Sequence, residues 1–334
     1  RPKFLLDLGV GAGTLIQMTR ARLAALAAPE TTYVITGTTH AAEVARQLPE
    51  LPAANVLIEP APRNTAPAIG LAAAVIHRRD PDAIMGSFAA DHLVADEPAF
   101  HAAVRAAIAA AGDGSLVTIG ISPTGPETGY GYLRRGERIG TSAAYRVEEF
   151  VEKPSYEIAE GYLRDGRYLW NAGMFVWRAA AFLEELRRQL PDLHAGLMRI
   201  AAAWDGEDRE QVLAEVWPTL PTETVDVGVM EGARRVVTVP ADLGWNDIGD
   251  WDTLAGILGT AGRSATFGDS PAVTIDCDGS LIYAGADRLV AALGVRDLVI
   301  VDTADALLVC PRDRAQDVKK VIANLCADDR VNLL

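Results

Sequence analysis

With 334 residues, 49% of them hydrophobic and 23% charged, the chain can bury a large core and has room for one large domain and a smaller one. Its 31 Lys and Arg stand against 45 Asp and Glu. The resulting net charge of -14 excludes bulk electrostatic attraction to nucleic acid or an anionic membrane, so an anionic substrate requires a local basic cluster or a metal. No stretch approaches the roughly 18 apolar residues of a membrane span, and Arg1-Pro2-Lys3 opens no signal-peptide core. Cys277, Cys310 and Cys326 form neither a disulfide framework nor a zinc spacing, so a reducing cytoplasm is the expected compartment.

In chain order, Gly9, Gly11 and Gly13 form a turn ahead of a helix that Thr14 and Gln17 open as a capping box. The dinucleotide fingerprint they mimic lacks a preceding strand and its G-x-x-G half. Residues 33–36 and 55–58 read as strands flanking a helical pattern over 41–47, and alternation of this kind implies a parallel sheet. Glu59-Pro60-Ala61-Pro62-Arg63-Asn64-Thr65 leads into a helix over 66–79, with Ile69, Ala72, Ala73 and Ile76 at helical spacing. Asn64 or Thr65 caps it, and Arg63 beside its free N–H groups suits an anion or nucleotide; a capped surface helix with a solvated arginine fits the same residues.

The run into Gly86-Ser87-Phe88-Ala89-Ala90-Asp91-His92 reads as a buried strand emerging into an acidic turn. Ligands collect at the carboxyl ends of strands in open α/β sheets, so Asp91 is placed to hold a metal over a phosphate. A helix over 97–111 and a strand over 116–119 continue the βαβ order.

That order changes after Pro123. Gly129 and Gly131 let the backbone approach a ligand around which Tyr130 and Tyr132 could stack or hydrogen-bond, and a glycine hairpin with no ligand fits the same residues equally well. At the end of the next strand Glu152 suits sugar hydroxyls and Lys153 a sugar phosphate, although taken alone a solvated ion pair is the simpler account. After a helix over 156–164, Asn171 beside Gly173 is suited to vicinal hydroxyls, whereas Met174, Phe175 and Trp177 read as core. Leucine-rich packing helices cover 179–214. A strand over 235–239 precedes a second acidic turn, Gly244-Trp245-Asn246-Asp247. Asp91 and Asp247, from separate strand ends, are the two carboxylates that a Mg²⁺ site on a nucleotide needs, the ion taking its remaining oxygens from water and phosphate, although spacing alone does not bring them together. Beyond Arg263 come short β-rich runs at 272–275, 280–283 and 298–301 and a helix over 313–325, with no internal repeat and a domain boundary near residue 262.

Seven blocks stand in one order: EPAPRNTAPAIGLAA, AADH, PETGYGY, FVEKP, WNAGMFVW, VMEGA and GWNDIGDW. Together they resemble the mannose-1-phosphate guanylyltransferase (GDP-mannose pyrophosphorylase) family, and IVDTADALLVCPRDRAQDVKKVI extends the resemblance toward the C-terminus. The resemblance implies a doubly wound, mostly parallel α/β nucleotidyltransferase domain over 1–262 and a small β-rich, left-handed β-helix-like domain over 263–334, in a homodimer. It implies transfer of GMP from GTP to mannose 1-phosphate, giving GDP-mannose and pyrophosphate by in-line attack with Mg²⁺. By that similarity Asp91 and Asp247 hold the metal, while Lys153, Glu152, Asn171 and Gly131 bind the sugar phosphate. Arg63, Asn64 and Thr65 lie near the nucleotide, and Lys3, in an RPK block, approaches the phosphates.

The sequence departs from the family pattern in four places. A strand and a glycine-rich G-x-G-T-R loop that precede RPK in the family have no counterpart ahead of Arg1, and truncation is the expectation. Phe4 follows Lys3 one residue early, Ala90 replaces a proline, and Gly232 replaces a lysine. The alternatives are a related hexose-1-phosphate nucleotidyltransferase and a catalytically silent subunit that binds GDP-mannose.

Overall fold

The computed structural model describes residues 2–258 and 264–327, which fall into two compact units. The larger comprises residues 22–89 and 94–245; the smaller comprises the described parts of 1–21, 90–93 and 246–334. The expected boundary near residue 262 lies outside the described residues.

In the larger unit, β1 (Val34–Gly37) and β2 (Val56–Glu59) pair in parallel, with Gly37 opposite Glu59. A parallel pair needs a crossover, and the helix Ala41–Gln47 provides it. Six further strands are β3 (Ile84–Ser87), β4 (Leu116–Ile121), β5 (Tyr132–Arg138), β6 (Tyr145–Val151), β7 (Tyr168–Arg178) and β8 (Val236–Ala241). They form one sheet in the order β3-β7-β4-β8-β6-β5. β4 and β8 are parallel, whereas β7 runs antiparallel to β3, β4 and β5, and β6 runs antiparallel to β5 and β8. The fold is α/β as expected, and this sheet is mixed.

Local chemistry explains the placement of the strands. Every residue of β4 is buried, as a central strand covered on both faces requires, and its single polar side chain is Thr118. β3 is an edge strand, a correction to its reading as buried: only Met85 is inside and Ile84 is 37% exposed, because β7 covers one side alone. The helix Glu97–Ala111 starts where the Asp96 carboxylate accepts the Ala99 N–H at 2.8 Å. Trp177 stacks on Phe182 at 4.4 Å, and both are fully buried with Leu71, Leu186 and Leu197 from the packing helices. Each such side chain contributes on the order of 2 to 3 kcal/mol by leaving water.

In the smaller unit the expected capping interaction is present, with the Thr14 N–H donating to Gln17 Oε1 at 3.1 Å ahead of the helix Leu15–Leu23. Leu8, Leu15, Ile248, Leu254 and Leu281 share its core. Farther on, Ala265–Phe267, Leu281–Ala284 and Leu298–Asp302 stack in parallel, Ala265 opposite Leu281 and Leu281 opposite Val299. Ala272–Ile275 and Val290–Leu293 form a second parallel pair. The chain thus visits two sheets alternately at a near-constant step, a structural repeat that contradicts the reading of no repeat. Its strands are too short and too different in composition to repeat as sequence. The expected C-terminal helix begins with a 3-10 turn, Arg312–Asp317, and continues as Val318–Ala327.

Candidate active site

The smaller unit gathers Lys3, Asp91 and Asp247. Lys3 Nζ lies 3.0 Å from Asp91 Oδ2 and donates to the backbone carbonyls of Asp247 and, at 3.1 Å, Ile248. An ammonium has three donors, so one lysine ties both acidic turns together. Ile248 is buried in the left-handed region at φ 47°, with its N–H donating to Asn246 Oδ1 at 2.7 Å. For a β-branched residue that conformation costs about 1–3 kcal/mol and persists only where surrounding contacts over-determine it. The Asp247 turn is therefore strained, and the Lys3 bonds and the packing of Ile248 hold it.

The larger unit gathers Glu152, Lys153, Gly131 and Asn171. Lys153, at φ 48°, places its Nζ 2.8 Å from Glu152 Oε1, a hydrogen bond that holds the ammonium pKa above its ordinary value. Its backbone N–H donates to the Tyr130 carbonyl at 3.3 Å. Gly131 makes the Glu152 position possible, because a Cβ there would come within 2.5 Å of Glu152 Oε2. Opposite β4, β7 carries a register shift between Thr118 and Gly120, with Gly173 at φ 64°. Such a bulge re-aims side chains, and here it turns the Asn171 amide inward.

That amide is heavily engaged. Asn171 Oδ1 accepts from Thr118 Oγ1 at 2.8 Å and from the Gly173 N–H at 3.2 Å, while Nδ2 donates to Asp226 Oδ1 at 2.8 Å. Asp226 is a residue that sequence reasoning missed. It opens a short π-helical turn, Asp226–Met230, and burial, followed by the charge of Glu152, pushes its carboxyl pKa up to about 6. Its visible signal was a lone acid among valines in Thr224-Val225-Asp226-Val227. Glu231 was also missed; its carboxylate accepts the Glu152 N–H at 3.3 Å.

The loop before the helix Thr65–Arg79 departs from expectation. Asn64 occupies the cap position at φ 65° but makes no side-chain cap bond, and Thr65 Oγ1 instead accepts the Val225 N–H at 2.9 Å. The Arg63 guanidinium donates to the carbonyls of Leu220 and, at 2.5 Å, Pro218, so it fastens one segment to another. Just upstream, Glu59 ends β2 with Oε2 buried and without a hydrogen-bond partner, and burial raises its pKa. Tyr132 belongs to the core rather than to a ligand surface: it is fully buried and its hydroxyl donates to the Glu127 carbonyl at 2.9 Å. Tyr130 packs edge-on against Trp170 and Trp245 at 5.1 and 5.2 Å.

Comparison with known proteins places this geometry in a family. Residues 1–259 match the family model described as nucleotidyl transferase, and residues 270–325 match one described as MannoseP isomerase/GMP-like beta-helix domain. The chain is 42% identical to the xanthan biosynthesis protein XanB of Xanthomonas campestris over 97% of its own length and 68% of the relative. It is 43% identical to the mannose-1-phosphate guanylyltransferase of Escherichia coli, covering 95% of this chain and 67% of that one. The crystal structure of a mannose-1-phosphate geranyltransferase from Thermus thermophilus superposes with a TM-score of 0.84 at 38% identity, covering 97% of this chain and 92% of that one. The chain belongs to the nucleotidyl transferase family, among relatives named mannose-1-phosphate guanylyltransferase.

Proposed function

We propose that the chain transfers GMP from GTP to mannose 1-phosphate, giving GDP-mannose and pyrophosphate. The observation that carries this reading is the constellation of Glu152, Lys153, Gly131 and Asn171, in a chain whose relatives bear that activity in their names. It combines a carboxylate acceptor, an ammonium, a glycine that makes room for that carboxylate and a fixed amide. Those are the groups that hydroxyls and a phosphate on one small molecule require.

An oxygen of the sugar phosphate attacks the α-phosphorus of GTP as the bond from that phosphorus to the bridging oxygen of the β-phosphate breaks. The nucleophile is already ionised, so no general base is needed. Lys153 neutralises the sugar phosphate, and positioning supplies most of the acceleration. Asp91 and Asp247 fit Mg²⁺, since their hard carboxylate oxygens match an ion that takes one or two carboxylates and completes its shell with phosphate and water. Lys3 already draws the two acidic turns together. When bound, the ion supplies charge neutralisation on the triphosphate. Arg63, Asn64 and Thr65 serve the nucleotide by shaping the start of the helix Thr65–Arg79.

Glu59 offers the guanine contact. A carboxylate with an unpartnered buried oxygen accepts the adjacent N1–H and N2–H of guanine, a donor pair that uracil and adenine lack. Glu59→Gln should raise KM for GTP about 10-fold or more and leave KM for mannose 1-phosphate unchanged, because hydrogen bonds to charged groups contribute roughly 1.5–3 kcal/mol. An unchanged KM for GTP removes Glu59 from base recognition. A homodimer also belongs to this reading, and exposed Val273, Ile275 and Leu293 in the C-terminal strands supply apolar area for it. No helix among the described residues is long and apolar enough to cross a membrane, which suits cytoplasmic synthesis.

The deciding assay is pyrophosphate release from GTP with mannose 1-phosphate and Mg²⁺. Release with UTP and glucose 1-phosphate, but not with the proposed pair, overturns the substrate assignment. Tight binding of GDP-mannose without any turnover identifies the silent subunit instead.

A further inference from the structure

We propose that Asp226 is a second sugar-reading carboxylate, which together with Glu152 accepts hydroxyl groups of the hexose ring while Asn171 holds it in place. The inference rests on the nucleotide-sugar reading above and extends it to a residue on a different segment. Asp226 is half-buried and bonded to Asn171, which itself lies against Gly131 beside Glu152. A carboxylate has about four acceptor positions; the Asn171 amide and the residue's own backbone N–H use two of them, so Asp226 retains lone pairs for hydroxyl donors. Ionised Glu152 and Asp226 repel each other, and Lys153 offsets only part of that repulsion. Donors arriving from a sugar satisfy both carboxylates.

The support behind Asp226 argues for a fixed acceptor. The Ala66 N–H donates to the Glu223 carbonyl at 3.0 Å, the Glu223 N–H to the Arg63 carbonyl at 3.3 Å, and the Val225 N–H to Thr65 Oγ1. With the two Arg63 bonds, these five contacts lock the segment leading into Asp226 onto the start of the helix Thr65–Arg79. Asn171 is locked in turn by Thr118 and Gly173. The π-helical turn that begins at Asp226 is a rare element that recurs at functional sites. Arg63 and Thr65 are thereby positioning residues for a carboxylate far along the chain.

Calorimetric binding of GDP-mannose, of GDP, and of GDP-mannose analogues each lacking one ring hydroxyl tests this in the wild-type chain, Asp226→Ala and Asp226→Asn. Asp226→Ala should weaken GDP-mannose about 10- to 100-fold and leave GDP unchanged, with Asp226→Asn intermediate. For one deoxy analogue the penalty seen in the wild type should vanish in Asp226→Ala, a coupling that a merely structural role does not produce. Equal weakening of GDP and GDP-mannose, or an unchanged pattern of deoxy penalties in both variants, overturns the inference alone. A wild-type chain that binds GDP-mannose no better than GDP overturns the nucleotide-sugar reading and this inference with it.

Discussion

Replacing Asp91 or Asp247 with asparagine should lower pyrophosphate release on the order of 100-fold or more while the melting temperature hardly moves. The two effects separate because they depend on different energies. Asp91 pairs with Lys3 in a partly exposed ion pair, with the lysine side chain 34% and the aspartate side chain 32% accessible, and such pairs contribute under about 1 kcal/mol to stability. Lys3 also keeps its bonds to the carbonyls of Asp247 and Ile248, which asparagine leaves intact. On the proposed Mg²⁺ reading, turnover depends on the negative charge itself. An amide oxygen is a poorer donor to a hard divalent cation, and removing one group aimed at developing phosphoryl charge typically costs about 100-fold or more. The Mg²⁺ concentration for half-maximal rate should rise in both variants. Near-normal turnover at ordinary Mg²⁺ in both would remove the pair from the chemistry, whereas a collapse of the melting temperature would make their role structural.

Much of the architecture was legible because its signals are local. Asp96 and Pro98 ahead of an alanine-rich run define the helix Glu97–Ala111, and the short run Leu116-Val117-Thr118-Ile119 marks a strand that the structure extends to Ile121. The paired acid and base of Glu152-Lys153-Pro154 could be read as a pair because neighbours in sequence stay neighbours in space. What escaped depends on contacts between distant residues. Asp226 bonds to Asn171 across 55 positions, and only the bulge in β7 reveals that the amide points there. Arg63 looked like an anion ligand because sequence cannot show that its two terminal nitrogens donate to the carbonyls of Pro218 and Leu220. The two tyrosines flanking Gly131 looked alike, yet Tyr132 enters the core and Tyr130 precedes the strand. The alternating sheets at the C-terminus escaped for a related reason: their regularity resides in backbone pairing, which different side chains satisfy equally well.

Asp226→Asn should also stabilise the protein relative to wild type in a pH-dependent way, by about 3 kcal/mol more at pH 8 than at pH 4. The sign follows from linkage. Burial first and Glu152 second raise the folded-state pKa to about 6 from an ordinary 3.8. The stability this carboxyl contributes is therefore fully present below about pH 4, where it is protonated in both states, and is lost as pH rises through 6. A displacement of roughly two units corresponds to about 3 kcal/mol at about 1.36 kcal/mol per unit. Asparagine keeps the shape and an acceptor oxygen for the Asn171 amide but cannot ionise, so it escapes the loss. Denaturant melts of both proteins from pH 4 to pH 8 measure the difference, and groups that titrate alike in both cancel. The rise should shrink in a Glu152→Gln background, because that substitution removes the second cause of the shift, with the opposing charge of Lys153 left in place. A stability difference independent of pH would show that Asp226 ionises as freely in the fold as in the unfolded chain. If the rise is found along with weakened GDP-mannose binding, the chain maintains a charged carboxylate at neutral pH against its own stability, as expected where sugar hydroxyls, rather than packing, require that charge.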